Sequence, residues 1–500
     1  MTVKFKAFFA VFTLGLFLFG CVGSKVVSTT TQEGQSAVFV GEIVSATPVE
    51  NTAVLPLKIK CPYCNVLVVS FDALQAAHVG HLGYKKATGR DVTPGIDKIA
   101  SDGFSFSNAI SSAPWTVPSY MSWFTSSYPS QHKVLNKFSR YVNETDKTLT
   151  NFKELSPDMI TMAQFLKSDG FVTGAFTGDA GVSAVFGYDA GFDVFYDEVV
   201  FGGLEYSTPL ALEWLKNNSG KRFFMFYHGY DSHGQYEPNY TYKYVDFEYN
   251  GPFNGSKKQQ RDLRELGLKQ GFINLTYDDV RFWRAVYDEK INLANSKFLT
   301  FLEEFEKMGL MNNTIIIISS DHGTEFYEHK RFDHGFSLYD ELVHVPLVFR
   351  VPGAKGGGRI IDSQVRTIDI LPTLLDLLNI EPDEKLASQM EGVSLAPLLR
   401  GEKNDLQLTA FTETDYRHYT FKRGIQKPNG WKFIYTLEDG STELYNLKED
   451  PLEKKNLVEE EPRIAYELEQ ELFAHLNGLG REVYRPWITS CVPVYGDQCK

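Results

Sequence analysis

Three apolar runs constrain this chain more than any other feature. Asn65–Phe71 is unbroken and ends on Asp72. Phe223–Tyr227 leads into His228-Gly229-Tyr230-Asp231, and Thr314–Ile318 leads into Ser319-Ser320-Asp321-His322-Gly323. Runs without alternation suit strands buried on both faces, as in a parallel sheet. Helical patterns lie between them, at 93–101, 159–168 and 288–308. Strand, helix, strand alternation predicts an α/β sandwich. Ligands of such folds sit beyond the carboxyl ends of the strands. Asp72, Asp231 and the pair Asp321 and His322 all fall there. Any one of them could cap a loop, but three strand ends with acidic or imidazole groups point to a site.

The chain has 500 residues, enough for one large domain and a smaller one. Its formal net charge of -13 argues against nucleic acid, which needs a basic face. The N-terminus carries Lys4 and Lys6, then an apolar stretch from Ala7 to Gly20. That stretch is shorter than the roughly 20 residues of a spanning helix and matches the apolar region of a secretory signal. It ends in Leu18-Phe19-Gly20-Cys21, which resembles a lipobox. Cys21 is the expected lipidation site, so 1–21 reads as a lipoprotein-type signal and 22–58 as a flexible tether. The expected location is outside the cytosol, anchored to the cell membrane. Cys61, Cys64, Cys491 and Cys499 then remain. In an oxidising compartment four cysteines suggest two disulfides, paired locally or crossed, with a four-cysteine zinc site as the weaker option.

Residues 59–400 form the expected catalytic domain. After Gly401 the pattern changes. Segments 408–414, 419–426, 431–437 and 442–447 alternate like antiparallel strands, and 462–476 reads as an amphipathic helix. Residues 401–500 are therefore expected to form a small α+β subdomain. Tyrosines are dense between Tyr227 and Tyr249 and suit either core packing or a sugar-stacking wall.

Four groups of segments occur in one order. They are Phe71-Asp72-Ala73-Leu74 with His81-Leu82-Gly83-Tyr84 and Thr93-Pro94-Gly95-Ile96-Asp97; Ala113-Pro114-Trp115-Thr116-Val117-Pro118-Ser119 with Tyr128-Pro129-Ser130-Gln131-His132; Ser320-Asp321-His322-Gly323 with His334-Gly335 and Val345-Pro346-Leu347; and Glu443-Leu444-Tyr445-Asn446-Leu447 with Asp450-Pro451. Together they resemble the sulfatase family of the alkaline phosphatase superfamily. The resemblance implies a central, mostly parallel mixed sheet flanked by helices, plus a small C-terminal subdomain. It implies a metal-dependent hydrolase of sulfate or phosphate esters. Asp72, Thr116, Asp321 and His322 match its metal ligands, and Thr116 its nucleophile position. Carboxylates suit a hard cation, and one imidazole widens the choice among calcium, magnesium, manganese and zinc. His233 and His334 match positions that contact the transferred group or protonate the leaving group. Asp231, His233 and His334 could instead hold a second metal.

Three departures bear on the substrate. Typical members carry Cys or Ser where Thr116 stands, and oxidise it to formylglycine. Threonine cannot give that aldehyde, because its Cβ bears a methyl group. Tyr120 replaces an arginine, and Ala73 replaces a further aspartate ligand. All three lean toward a threonine nucleophile acting on a phosphoester, phosphodiester or phosphonate, or transferring a phosphoryl group. The alternatives are a sulfuric ester hydrolase and a catalytically silent surface binding protein. The expected partners are a small-molecule, glycan or lipid ester and the membrane through the lipid anchor.

Overall fold

The computed structural model describes residues 59–135, 155–178, 180–354, 356–417 and 419–479. The expected signal and tether, with Cys21, lie outside them, as do Cys491 and Cys499. Cys61 is bonded to Cys64, which sets aside the crossed pairing and the four-cysteine zinc site.

Among the described residues the main sheet has eight strands. They are β1 (Asn65–Phe71), β2 (Phe104–Ile110), β3 (Val172–Phe176), β4 (Val194–Tyr196), β5 (Phe223–Gly229), β6 (Thr314–Ser319), β9 (His344–Arg350) and β10 (Arg359–Arg366), with a two-stranded hairpin of β7 (Glu325–Phe326) and β8 (Phe332–Asp333) between β6 and β9. The order across the sheet is β10-β2-β9-β6-β1-β5-β3-β4. Only β9 runs antiparallel to its neighbours. The expected mixed, mostly parallel sheet is therefore present.

The three apolar runs became the three central strands, β6, β1 and β5. Every residue of each is buried. Alternate residues of β1 feed opposite cores: Val66 and Val68 pack with the helix Thr116–Thr125, while Leu67 and Val69 pack with the long helix Tyr277–Lys307. That helix begins eleven residues before the predicted 288, because Thr276 and Asp279 form a capping box at its start. Tyr227 stacks on Phe301, and Tyr249 stacks on Phe282. Both contacts are with this helix, so Tyr227 and Tyr249 pack against it.

Strand β9 was harder to foresee because Pro346 lies within it. Proline lacks an N–H and breaks a ladder. The β2–β9 register shifts between Phe106 and Ala109, opposite Pro346, and the sheet absorbs the proline at that irregularity.

The smaller sheet is antiparallel, ordered β11 (Ala410–Tyr416), β12 (Thr420–Gln426), β13 (Trp431–Thr436) and β14 (Thr442–Asn446). The helix Pro462–Gly478 covers it, with Ala465, Leu468, Leu472 and Leu476 packed on Ile425, Phe433 and Leu444.

Candidate active site

The parallel register brings the carboxyl ends of β1, β5 and β6 level. Ser70 lies opposite both His228 and Ser319. The chain then leaves β1 through Ala73, whose φ of 58° is left-handed. Ala73 N–H donates to Asp321 Oδ1, and Tyr287 Oη–H donates to the Ala73 carbonyl. This turn fixes Asp72 against the loop after β6. Where the family pattern has another ligand, the chain makes a backbone turn.

One ligand atom each from Asp72, Asp321 and His322 lies within 4.8 Å of the others. His322 Nε2 is 3.2 Å from Asp321 Oδ2 and 3.9 Å from Asp72 Oδ1. Thr116 Oγ1 stands 3.4 Å from both Asp72 Oδ2 and His322 Nε2. Thr116 is the first residue of the helix Thr116–Thr125, whose amide dipoles favour negative charge at that end. Ser119 Oγ–H donates to the Asp321 carbonyl and ties this helix to the ligand loop. The Tyr120 hydroxyl lies 2.5 Å from Ser70 Oγ.

The arrangement is layered. Asp72, Asp321 and His322 have no solvent exposure, whereas Thr116 keeps 5% and His233 and His334 keep 4% each. The carboxylates form the floor, and the hydroxyl and two imidazoles form the mouth. The His334 ring lies 4.3 Å from His322 and 4.9 Å from His233. Asp333 Oδ1 lies against His334 Nδ1, and the same carboxylate faces Arg264 at 3.6 Å.

The sequence placed Asp231 at the site as well. The structure corrects this. Its carboxylate is held by Lys297 Nζ at 2.8 Å and by the Leu204 amide at 2.7 Å. Among the described residues it joins no group of potential ligands with His233 and His334, so the second metal expected on that trio has no support.

Sequence reasoning missed three residues here. Gly181 lies against Thr116, where an added Cβ would come within 2.5 Å of the threonine methyl. Tyr230 accepts the amides of Gly181 and Val182 and presses that loop onto Thr116. His228 Nε2 lies 3.6 Å from Asp72 Oδ2. The run that ends β5 named His228, but only the register showed that it meets Asp72.

The donor set fits a divalent cation. Asp72 Oδ1 and Asp321 Oδ2 are buried and accept no hydrogen bond. Burial and the neighbouring Asp321 push the Asp72 carboxyl well above its usual range. Two buried carboxylates side by side need a counter-charge. Atoms bound to one zinc-sized ion at about 2.0–2.1 Å sit roughly 3.3 Å apart. The 3.2 and 3.4 Å separations above match that spacing, while the 3.9 Å between His322 Nε2 and Asp72 Oδ1 is wider.

Comparison with known proteins agrees with this geometry. The sulfatase family model matches residues 64–380, and the model of the C-terminal part of N-sulphoglucosamine sulphohydrolase matches 327–481. The chain belongs to the sulfatase family, within the alkaline phosphatase superfamily, and is a hydrolase of ester bonds. It is 26% identical to the Delta 4,5-hexuronate-2-O-sulfatase of Bacteroides thetaiotaomicron over 429 residues, 79% of this chain and 85% of that enzyme. It is 30% identical to human arylsulfatase K over 215 residues, 40% of this chain and 38% of that enzyme. Among solved structures, the phosphonate monoester hydrolase of Agrobacterium radiobacter shares its fold, with a TM-score of 0.65 and 19% identity over 83% of this chain and 95% of that one. A 2-O GAG sulfatase superposes with a TM-score of 0.64 and 22% identity, covering 84% and 93%.

Proposed function

We propose that this protein is a divalent-cation-dependent phosphoester hydrolase or phosphoryl transferase with Thr116 as nucleophile. One observation carries the reading: Thr116 Oγ1 stands 3.4 Å from Asp72 Oδ2 and from His322 Nε2, at a helix N-terminus. A cation held by Asp72, Asp321 and His322 would lower the pKa of that hydroxyl and neutralise charge on the attacked group. The Thr116 hydroxyl would release its proton to solvent as its oxygen attacks phosphorus in line. The bond from phosphorus to the leaving oxygen breaks, and that oxygen takes a proton. Water supplies it, while His233 is placed to donate a hydrogen bond to a phosphoryl oxygen. Its Nδ1 accepts the Gln235 amide, so Nε2 carries the hydrogen in the neutral ring and faces the floor, 3.9 Å from Asp72 Oδ1. Water or an acceptor alcohol next opens the phosphothreonine and frees Thr116. His334, oriented by Asp333, binds a non-bridging oxygen.

A threonine ester of sulfate lacks the elimination route that a formylglycine hydrate provides. That difference favours phosphorus. The sulfated-sugar specificity in the names of the relatives favours the second reading, a sulfuric ester hydrolase acting on glycan fragments. A cell-surface position, read from the N-terminal apolar stretch and Cys21, suits either reading.

Purified protein with Mn²⁺ or Zn²⁺ is expected to cleave an aryl phosphodiester faster than an aryl sulfate. The opposite order of rates would establish the sulfate reading. Thr116→Ala is expected to abolish turnover while lowering metal affinity only modestly. Turnover unchanged by that substitution would remove Thr116 as the nucleophile. Cys21→Ala is expected to move the protein from the membrane fraction to the soluble one, and an unchanged distribution would disprove the lipid anchor.

A further inference from the structure

Opposite hydrogen bonds orient two imidazoles of the site. His322 Nδ1 lies 2.6 Å from the Gly323 carbonyl, which can only accept, so Nδ1 carries the hydrogen and the Nε2 lone pair faces the floor. His233 has the reverse arrangement, as described above. Its backbone turn is held from outside by one face of the long helix Tyr277–Lys307. Tyr287, Lys290 and Lys297 follow at helical spacings of three and seven residues and so share that face. Tyr287 donates to the Ala73 carbonyl behind Asp72. Lys290 Nζ donates to the His233 carbonyl at 3.1 Å, and Lys297 Nζ to the Asp231 carboxylate at 2.8 Å.

Lys290 is the unusual member of the three. Lys297 pairs with Glu205 and Asp231. Lys290 is 2% exposed, and among the described residues no carboxylate pairs with it and the His233 carbonyl is its one hydrogen-bond acceptor. The acids beside it in the helix are engaged elsewhere, Asp288 by Arg90 and Glu289 by the amides of Thr241 and Lys243. Burial pushes the Lys290 ammonium down to about 7. The His233 carbonyl also accepts the Tyr236 amide from its own turn, so an apolar side chain at 290 would leave that carbonyl satisfied. A buried lysine without an acid costs stability, and packing alone gives no need for one here.

We infer that Lys290 is a positioning residue for the reaction: it ties the turn that carries His233 to the long helix and so holds that imidazole against the carboxylate floor. This rests on the part given to His233 in the function proposed above.

The test uses the full chain loaded with Zn²⁺ or Mn²⁺ and whichever of an aryl phosphodiester and an aryl sulfate wild type turns over faster. Lys290→Met removes the donor and the charge but keeps the length of the side chain. It is expected to leave the melting temperature unchanged or higher. It is also expected to lower kcat/KM at least ~10-fold, the effect of a misplaced group. In a His233→Ala background the same substitution is expected to cost nothing further, since residues that act through one contact are not additive. Lys290→Gln, a shorter neutral donor, carries the test should Lys290→Met fail to fold; its loss is expected to be smaller and to vanish likewise in the His233→Ala background. Wild-type kcat/KM in the folded variants, or equal losses in both backgrounds, would overturn the inference and leave the Thr116 reading standing. Wild-type kcat/KM in His233→Ala would remove the part given to His233 and this inference with it. If wild type turns over neither substrate, the proposed function falls first.

Discussion

Two clusters in this molecule, one buried and one partly buried, use the same residue types to different ends. The first is Asp72, Asp321 and His322; the second is Glu325, His329 and Glu341, on the β7–β8 hairpin and the short helix Asp340–Val343. In the second cluster most groups answer one another, although Glu325 Oε2 is buried without a partner. Glu325 Oε1 accepts the amides of His329 and Arg331. His329 pairs with Glu341 through Nδ1 and with the Glu453 carbonyl through Nε2. Lys432 forms an ion pair with Glu453 at 2.9 Å. Among the described residues no lysine or arginine pairs with the first cluster's carboxylates, and two of their oxygens lack any partner. Composition does not separate the two clusters; burial and the share of satisfied oxygens do.

That contrast can be broken by experiment. The largest effect is expected from Asp321→Asn, which should abolish turnover and metal binding. It should also raise the melting temperature of the metal-free protein, since it removes one of two adjacent buried charges. A lower melting temperature would mean that the first cluster is structural. Next, Lys432→Met leaves Glu453 buried without its cation. A loss of about 3–5 kcal/mol in urea unfolding is expected, with kcat of the folded fraction unchanged. A loss of kcat without destabilisation would put the second cluster in the chemistry. Gly181→Ala drives a methyl into Thr116, and a displaced nucleophile costs on the order of 100-fold in kcat with little change in KM. Wild-type kcat would show that the loop yields.

The smallest effect concerns pH. Burial, then Glu341 and Glu328, push the Glu325 carboxyl up to about 8 from 4.5. Below pH 4.5 both folded and unfolded chains hold this proton, so it costs nothing. Between 4.5 and 8 the unfolded chain releases it first, and stability falls as pH rises. Glu325→Gln should flatten that decline by at most about 1.4 kcal/mol per pH unit. An unchanged slope would show that Glu325 is ionised in the fold.

Much of the fold was legible in the chain. The unbroken runs at Asn65, Phe223 and Thr314 announced buried parallel strands, and the alternation after Leu408 announced the antiparallel sheet. Pro346 hid β9, because a proline argues against a central strand until its neighbour supplies a bulge. The carboxylates and Thr116 were legible through their places at strand ends and in the ordered segments. Asp231 was misplaced for the same reason: a strand-end position says nothing of where the carboxylate turns, and Lys297, far along the chain, claimed it. His228 lay in plain sight within a strand-end run, but its meaning needed the β1–β5 register.

By itself, then, the sequence determined which strands are buried, what chemistry stands at their ends, and that Thr116 cannot become an aldehyde. These follow from local pattern and side-chain covalent structure. Tertiary structure alone decided which acids face one another, which nitrogen of each histidine carries the proton, and which of two similar clusters is left wanting a cation. Those outcomes depend on hydrogen bonds and charges contributed by residues distant in the chain, and no local pattern encodes them.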